Sequence, residues 1–363
     1  MTRDEIFSAS LQYFLAPIRD LLGDHDVTEI MVNGPDEVFV ERGGRLFSTD
    51  RTFSSDDALR SAVHNIAQYV GREINADQPI LDARLPDGSR VHVVIPPSSR
   101  GGVCLTIRKF RRDTLTLSDF VRLGSLSEMA AEFLSIAVRL RKNILVAGGT
   151  GTGKTTFLNG LSFAIPADER IIVIEDSSEL RLGQPHTVYL EAQTADSAGR
   201  GAVSIRQLFM ASLRMRPDRI IVGEVRGGEA LDMLQSMLSG HSGSLTTVHA
   251  STPRDALVRL ETLSLMSDVE LPVYVARAQA ASAIHLVVQL SRSSEDGRRR
   301  VTRITEQTGL DDANRYTFRD LFRLDVGRRG PELVHTGEGA SFAGELREQG
   351  LESEARLSAS VWK

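Results

Sequence analysis

Cysteine is almost missing from this chain: 363 residues hold one, Cys104. A single thiol excludes an internal disulfide and any cysteine-built zinc module within the chain. Cys104 stands in the strand-like run 102–108 and reads as a small buried hydrophobe. Aromatic residues are also scarce, at 6%, so no base-stacking groove is legible. No run approaches the ~20 apolar residues of a membrane-spanning helix. The opening MTRDEIFSAS carries acidic residues and no apolar core, which predicts no secretory signal and a cytoplasmic protein. Positive charge is not in excess. The net charge of −5 argues against wholesale nucleic-acid binding. The one basic run, Arg298-Arg299-Arg300, reads as solvated surface.

Glycine, by contrast, is concentrated where it matters. Gly148, Gly149, Thr150, Gly151, Thr152, Gly153, Lys154 and Thr155 fit the phosphate-loop pattern G-x-x-x-x-G-K-[ST] at every fixed position. The apolar run 143–147 reads as a strand entering the loop, and 156–161, from Thr156 onward, as a helix leaving it. That order is what phosphate binding needs. Glycines let the backbone curl so that N–H groups face phosphate oxygens. The helix start adds unpaired N–H groups and the positive end of its dipole. Lys154 then reaches the β- and γ-phosphates of ATP, and the Thr155 hydroxyl holds Mg²⁺.

The length suits two or three domains. Residues 1–110 read as a small α+β domain: a helix over 6–22, strands near 29–32 and 38–42, a helix capped by the segment Phe53-Ser54-Ser55-Asp56, and a hairpin turning at Pro86-Asp87-Gly88. Residues 111–126 read as a linker. From Ser127 helices alternate with apolar strands at 143–147, 170–174, 219–223, 244–248 and 284–289. That pattern predicts an α/β domain over 127–363 with a largely parallel sheet. Strand pieces at 301–305 and 318–324 and a helix over 342–351 follow, and the residues after Glu354 are expected to fray.

Ligands of open parallel sheets sit at the carboxyl ends of the strands. Glu175, Asp176 and Glu179 follow one such strand, and Gly223, Glu224 and Arg226 another. Glu224 is the acid in the usual metal-side position. His241 precedes the strand 244–248 and His249 ends it, neither with metal-ligand company.

Three segments now carry a resemblance. Glu175-Asp176-Ser-Ser-Glu179, Leu213-Arg-Met-Arg-Pro-Asp-Arg-Ile-Ile-Val-Gly-Glu-Val-Arg226 and Gly240-His-Ser-Gly-Ser-Leu-Thr-Thr-Val-His249 look like the acidic box, Walker B and histidine box of the type II/type IV secretion ATPases. Residues 81–91 and Thr106-Ile-Arg-Lys-Phe110 are similar to the Tad/Flp pilus-assembly, CpaF-like branch. The resemblance implies a RecA-like motor domain behind a smaller, PAS-like N-terminal domain. It implies Mg²⁺-dependent ATP hydrolysis in a homo-hexamer working with inner-membrane platform proteins, peripheral to the membrane and with no stable nucleic acid. Glu179 would be the base or water-orienter, with Glu175 less favoured, and Glu224 would sit at the metal. His241 and His249 would sense nucleotide state. Arg90 and Arg108 would approach the γ-phosphate. Two other readings stand beside it: a conjugation-type DNA-transfer motor, and a nucleotide switch that hydrolyses little.

Overall fold

A proline cuts the first helix short. In place of one helix over 6–22, the computed structural model, which describes residues 3–110, 114–193, 195, 199–327 and 330–363, has α1 (Arg3–Phe14), a 3-10 turn (Ala16–Ile18) and α2 (Arg19–Gly23). Pro17 offers no N–H to continue the ladder. Leu15, Ile18 and Leu21 are still buried together.

The chain divides into two compact units, Met1–Asp113 with Ala195–Arg200, and Thr114–Thr194 with Gly201–Lys363. The first continues with β1 (Val27–Asn33), β2 (Val38–Arg42), β3 (Arg45–Ser48), α3 (Asp56–Tyr69), β4 (Ile80–Arg84), β5 (Arg90–Val94) and β6 (Cys104–Arg108). Its strands form an antiparallel sheet in the order β3-β2-β1-β6-β5-β4. Ser55 caps α3 by accepting the Ala58 N–H at 3.1 Å, so the helix starts where its sequence says. Leu59, Val63, Ile66 and Ala67 recur at helical spacing and turn one apolar face into the core. Cys104 is only half-buried, with Sγ 3.2 Å from Ser99 Oγ, because it opens a strand rather than lying mid-strand.

The second unit begins with α4 (Leu117–Arg122) and α5 (Glu128–Arg139). The expected linker 111–126 therefore contains a helix; its residues 111–113 lie outside those described. Thr116 and Asp119 form a reciprocal capping box that sets the start of α4. Phe120 then packs against Phe157 with ring centroids 5.0 Å apart. There follow β7 (Ile144–Gly148), α6 (Lys154–Ser162), β8 (Ile171–Glu175), β9 (Thr187–Glu191), α7 (Ile205–Ser212), β10 (Arg219–Val222), α8 (Glu229–Leu238) and β11 (Leu245–His249). The chain ends with α9 (Pro253–Ser264), α10 (Val273–Ala283), β12 (Leu286–Arg292), β13 (Arg299–Leu310), β14 (Tyr316–Gly327), β15 (Gly330–His335) and α11 (Gly344–Glu348).

The sheet order is β15-β14-β13-β12-β7-β11-β10-β8-β9. From β12 to β9 every pairing is parallel, and β13 to β15 add an antiparallel meander. Alternation along β7 divides the core. Ile144 and Val146 join the apolar cluster of α5 and α6, while Leu145 and Ala147 join that of α8, α9 and α10. Each fully buried side chain of this size contributes about 1.5–3 kcal/mol, which fixes β7 rigidly in the middle of the sheet.

The terminal residues do not fray. Val361 and Trp362 are buried; the Trp362 ring lies 5.0 Å from Phe133 and 5.7 Å from Phe342. Its Nε1 donates to Ser358 Oγ, which in turn donates to Glu132.

Candidate nucleotide site

The loop after β7 is built by what cannot be there. A Cβ on Gly148 would meet Thr152 Oγ1 at 2.5 Å and the Leu290 carbonyl at 2.9 Å. Gly151 and Gly153 have φ of 70° and 89°, the left-handed region that side chains rarely enter. Two donors tie the loop to itself: Thr152 Oγ1 gives to the Gly149 carbonyl at 2.9 Å and Lys154 Nζ to the same oxygen at 3.0 Å. Lys154 opens α6 with Gly153 as N-cap and no side-chain cap, so the first-turn N–H groups at Thr155 and Thr156 face the loop unclaimed by a cap.

Register brings the rest to the same edge. Gly148 pairs with His249 on one side and with Leu290 on the other. Val222, just before Gly223 and Glu224, pairs with Ile174, just before Glu175. Lys154 Nζ lies 3.3 Å from His249 Nδ1, and His249 Nε2 lies 3.1 Å from Glu224 Oε1. Arg226 bridges Glu224 at 2.9 Å and Asp176 at 2.8 Å. The chain of contacts Lys154–His249–Glu224–Arg226–Asp176 thus links three strand ends.

The electrostatics follow from that chain. Burial and then the neighbouring Lys154 charge hold His249 below the usual imidazole range. The ring is therefore neutral near pH 7, accepting from Lys154 at Nδ1 and donating to Glu224 from Nε2. Burial would raise the Glu224 carboxyl, but the hydrogen bond and charge of Arg226, with His249 and Lys154, outweigh it and hold it below the carboxylate range. Glu224 is thus a fixed anion.

Glu175 behaves differently. It is buried, and its Oε1 accepts the backbone N–H groups of Glu179 and Leu180 at 2.8 and 3.0 Å. Burial pushes its carboxyl up to about 7 against the pull of those donors. Its position is that of a latch that shapes the turn carrying Glu179. The folded state therefore binds this proton more tightly than the unfolded one. Stability from this group is full below pH 4.5 and declines as pH rises through 7. Glu175→Gln keeps the acceptor oxygen and removes the charge. At pH 8 the variant is expected to be more stable than the parent by up to about 3 kcal/mol, the advantage vanishing near pH 4. Urea unfolding at the two pH values checks this.

Not every sequence candidate arrives. His241 sits in the turn before β11, where the Gly243 and Ser244 N–H groups bond to Asn143 Oδ1. Asn143 precedes β7, so His241 is at the edge where the parallel strands begin, roughly 15 Å of strand away from the loop. The five-residue strand between the two histidines carries them to opposite edges. Arg90 and Arg108 belong to the first unit, where they are direct cross-strand partners. Arg84, not singled out from the sequence, pairs with Arg90 in the same row. Glu229 was also missed: its Oε1 accepts the N–H groups of Arg226 and Gly227 and fixes the turn after Glu224. The pattern of an acid at the start of α8, facing free N–H groups, is the signal that could have found it.

A parallel sheet sandwiched by helices, a glycine loop ending in a helix N-terminus, and acids at the neighbouring strand ends define a RecA-like phosphate-loop ATPase. The type II/IV secretion system protein family matches residues 12–338. A Mycobacterium tuberculosis protein provisionally named for conjugal transfer is 36% identical over 293 residues, covering 79% of this chain and 82% of its own. The type IV secretion system protein PtlH of Bordetella pertussis is 38% identical over 329 residues, covering 83% and 96%. The solved ATPase DotB of Yersinia pseudotuberculosis shares the fold with a TM-score of 0.58 at 16% identity, over 82% of this chain and 78% of that one. The chain belongs to the type II/IV secretion system protein family and is an ATPase of that family.

Proposed function

We propose that this chain is the ATP-hydrolysing motor of a Tad-like pilus-assembly or type IV secretion apparatus, acting as a homo-hexamer on the cytoplasmic side of an inner membrane. The observation that carries it is the convergence of Lys154, His249 and Glu224 beside the loop. No helix among the described residues is long and apolar enough to cross a membrane; in this reading the chain meets the membrane through platform proteins.

Within the site Lys154 and the loop N–H groups bind the β- and γ-phosphates, and His249 reports nucleotide state to Glu224. Glu179 orients the attacking water from the turn that Glu175 holds. The Thr155 hydroxyl and Glu224 carboxylate are hard oxygen donors of the kind Mg²⁺ takes beside phosphate and water. Bound Mg²⁺ supplies charge neutralisation at the phosphates. Arg90 and Arg108 add guanidinium charge at the γ-phosphate of a neighbouring subunit. The domain assignment that goes with this is an N-terminal PAS-like unit over 1–110 and a motor over 127–363.

A subunit-completed site gives a concentration signature. Hydrolysis per chain is expected to rise cooperatively with protein concentration as a hexamer-sized species forms, followed by light scattering. Hydrolysis proportional to chain while the protein stays monomeric would sink the ring. The name of the mycobacterial relative favours a second reading, a DNA-transfer motor. Salt-sensitive binding of single-stranded DNA that stimulates hydrolysis would select it, against the net charge of −5.

A further inference from the structure

The basic run that reads as solvated surface is only partly so. Arg300 is buried and paired to Asp296, which also accepts the Arg298 N–H. This closes the β12–β13 hairpin. Arg299 turns the other way, onto the phosphate loop. Its Nε donates to the Gly151 carbonyl at 2.8 Å, and its Cδ lies 3.2 Å from where a Cβ on Gly153 would be. Arg292 is its direct cross-strand partner, and Arg292 Nη1 lies 3.7 Å from the corresponding position on Gly151. The backbone at Arg299 is held from the far side: Ser125 Oγ donates to its carbonyl at 2.6 Å, and the Val301 N–H bonds to the Ser125 carbonyl.

We infer that Arg299 is a positioning residue for nucleotide binding, fixing the phosphate loop through the Gly151 carbonyl with Arg292 supporting it by charge. The inference rests on the ATPase reading. A phosphate loop binds only when its N–H groups point inward, which requires its carbonyls to point out and be satisfied there. Gly151 has a positive φ and no side chain to restrain it, so its peptide is free to turn. A charge-assisted bond to its oxygen holds that peptide in the binding orientation before nucleotide arrives. Two guanidinium groups at the rim also raise the local anion potential. Register explains the reach: Leu290 pairs with Gly148, so β12 passes the loop and its hairpin overhangs it.

The test measures displacement of N-methylanthraniloyl-ATP by ATP, together with kcat and KM, for the parent, Arg299→Ala, Arg299→Lys and Arg292→Ala. Arg299→Ala is expected to weaken ATP binding and raise KM about tenfold, the worth of one charge-assisted bond, with kcat falling less than KM rises. Arg299→Lys, which keeps one donor, recovers part of the loss, and Arg292→Ala weakens binding less than Arg299→Ala. An unchanged dissociation constant in Arg299→Ala overturns the inference while leaving the ATPase reading intact. So does a collapse of kcat with binding preserved. If Arg299→Ala fails to fold, an Arg299→Lys variant that folds and binds as the parent does while Arg292→Ala is also silent overturns it equally. A parent chain that binds no nucleotide overturns both readings.

Discussion

Lys154→Ala is expected to lower ATP hydrolysis about a thousandfold while the protein still folds. The side chain is buried and its ammonium gives to Gly149 and His249, so it is pinned at the loop rather than waving in solvent. The fold survives because Thr152 Oγ1 also satisfies the Gly149 carbonyl and because the loop shape comes from glycine. A cooperative thermal transition beside the lost phosphate release checks both halves. The substitution has a second readout. Burial first, and then the Lys154 charge, depress the His249 imidazole. Removing that charge lets the His249 pKa rise, which proton NMR of the ring follows. A His249 pKa that stays put would mean the two groups are not in contact in solution.

Glu224→Gln is the sharper test of chemistry as opposed to binding. The amide keeps one acceptor oxygen, enough for Arg226 Nη2 or His249 Nε2 but not for both, which the carboxylate holds on separate oxygens; the turn itself stays fixed by Glu229. What disappears is the fixed anion that Arg226 and His249 hold below the carboxylate range. Turnover is expected to fall about a hundredfold or more with ATP still bound. KM should move far less than kcat, because the loop N–H groups and Lys154 are untouched. A variant that loses binding and turnover in equal measure would instead place Glu224 in the framework of the loop. Glu179→Gln separates the remaining role. A drop in kcat as large as that of Glu224→Gln supports water orientation by Glu179. A silent Glu179 moves that role elsewhere among the acids.

The motor unit was largely legible in the sequence because its strands are buried on both faces. Runs such as Ile171-Ile172-Val173-Ile174 have no polar residue to confuse strand with loop, and the glycine pattern after Ala147 leaves one backbone solution. What was not legible depends on contacts between distant residues. Trp362 is ordered by Phe133 and Phe342, partners that composition near the terminus does not announce. α4 was hidden because a six-residue helix around one capping box resembles a linker until Phe120 meets Phe157. The two histidines of 241–249 look equivalent in sequence, yet a strand separates them, and one alone reaches Lys154. Arg299 was misread for the same reason. A charge run is solvated on average, and Arg299 does stay exposed, but register lays it against the loop and buries Arg300 beside it.

The most direct measurement is phosphate release from ATP by the purified chain, with Mg²⁺ and with excess chelator, beside Lys154→Ala at the same protein concentration. The account predicts sustained release that requires Mg²⁺ and vanishes in the variant. Release that persists in chelator, or equally in Lys154→Ala, would contradict the assignment of this loop as the hydrolytic site.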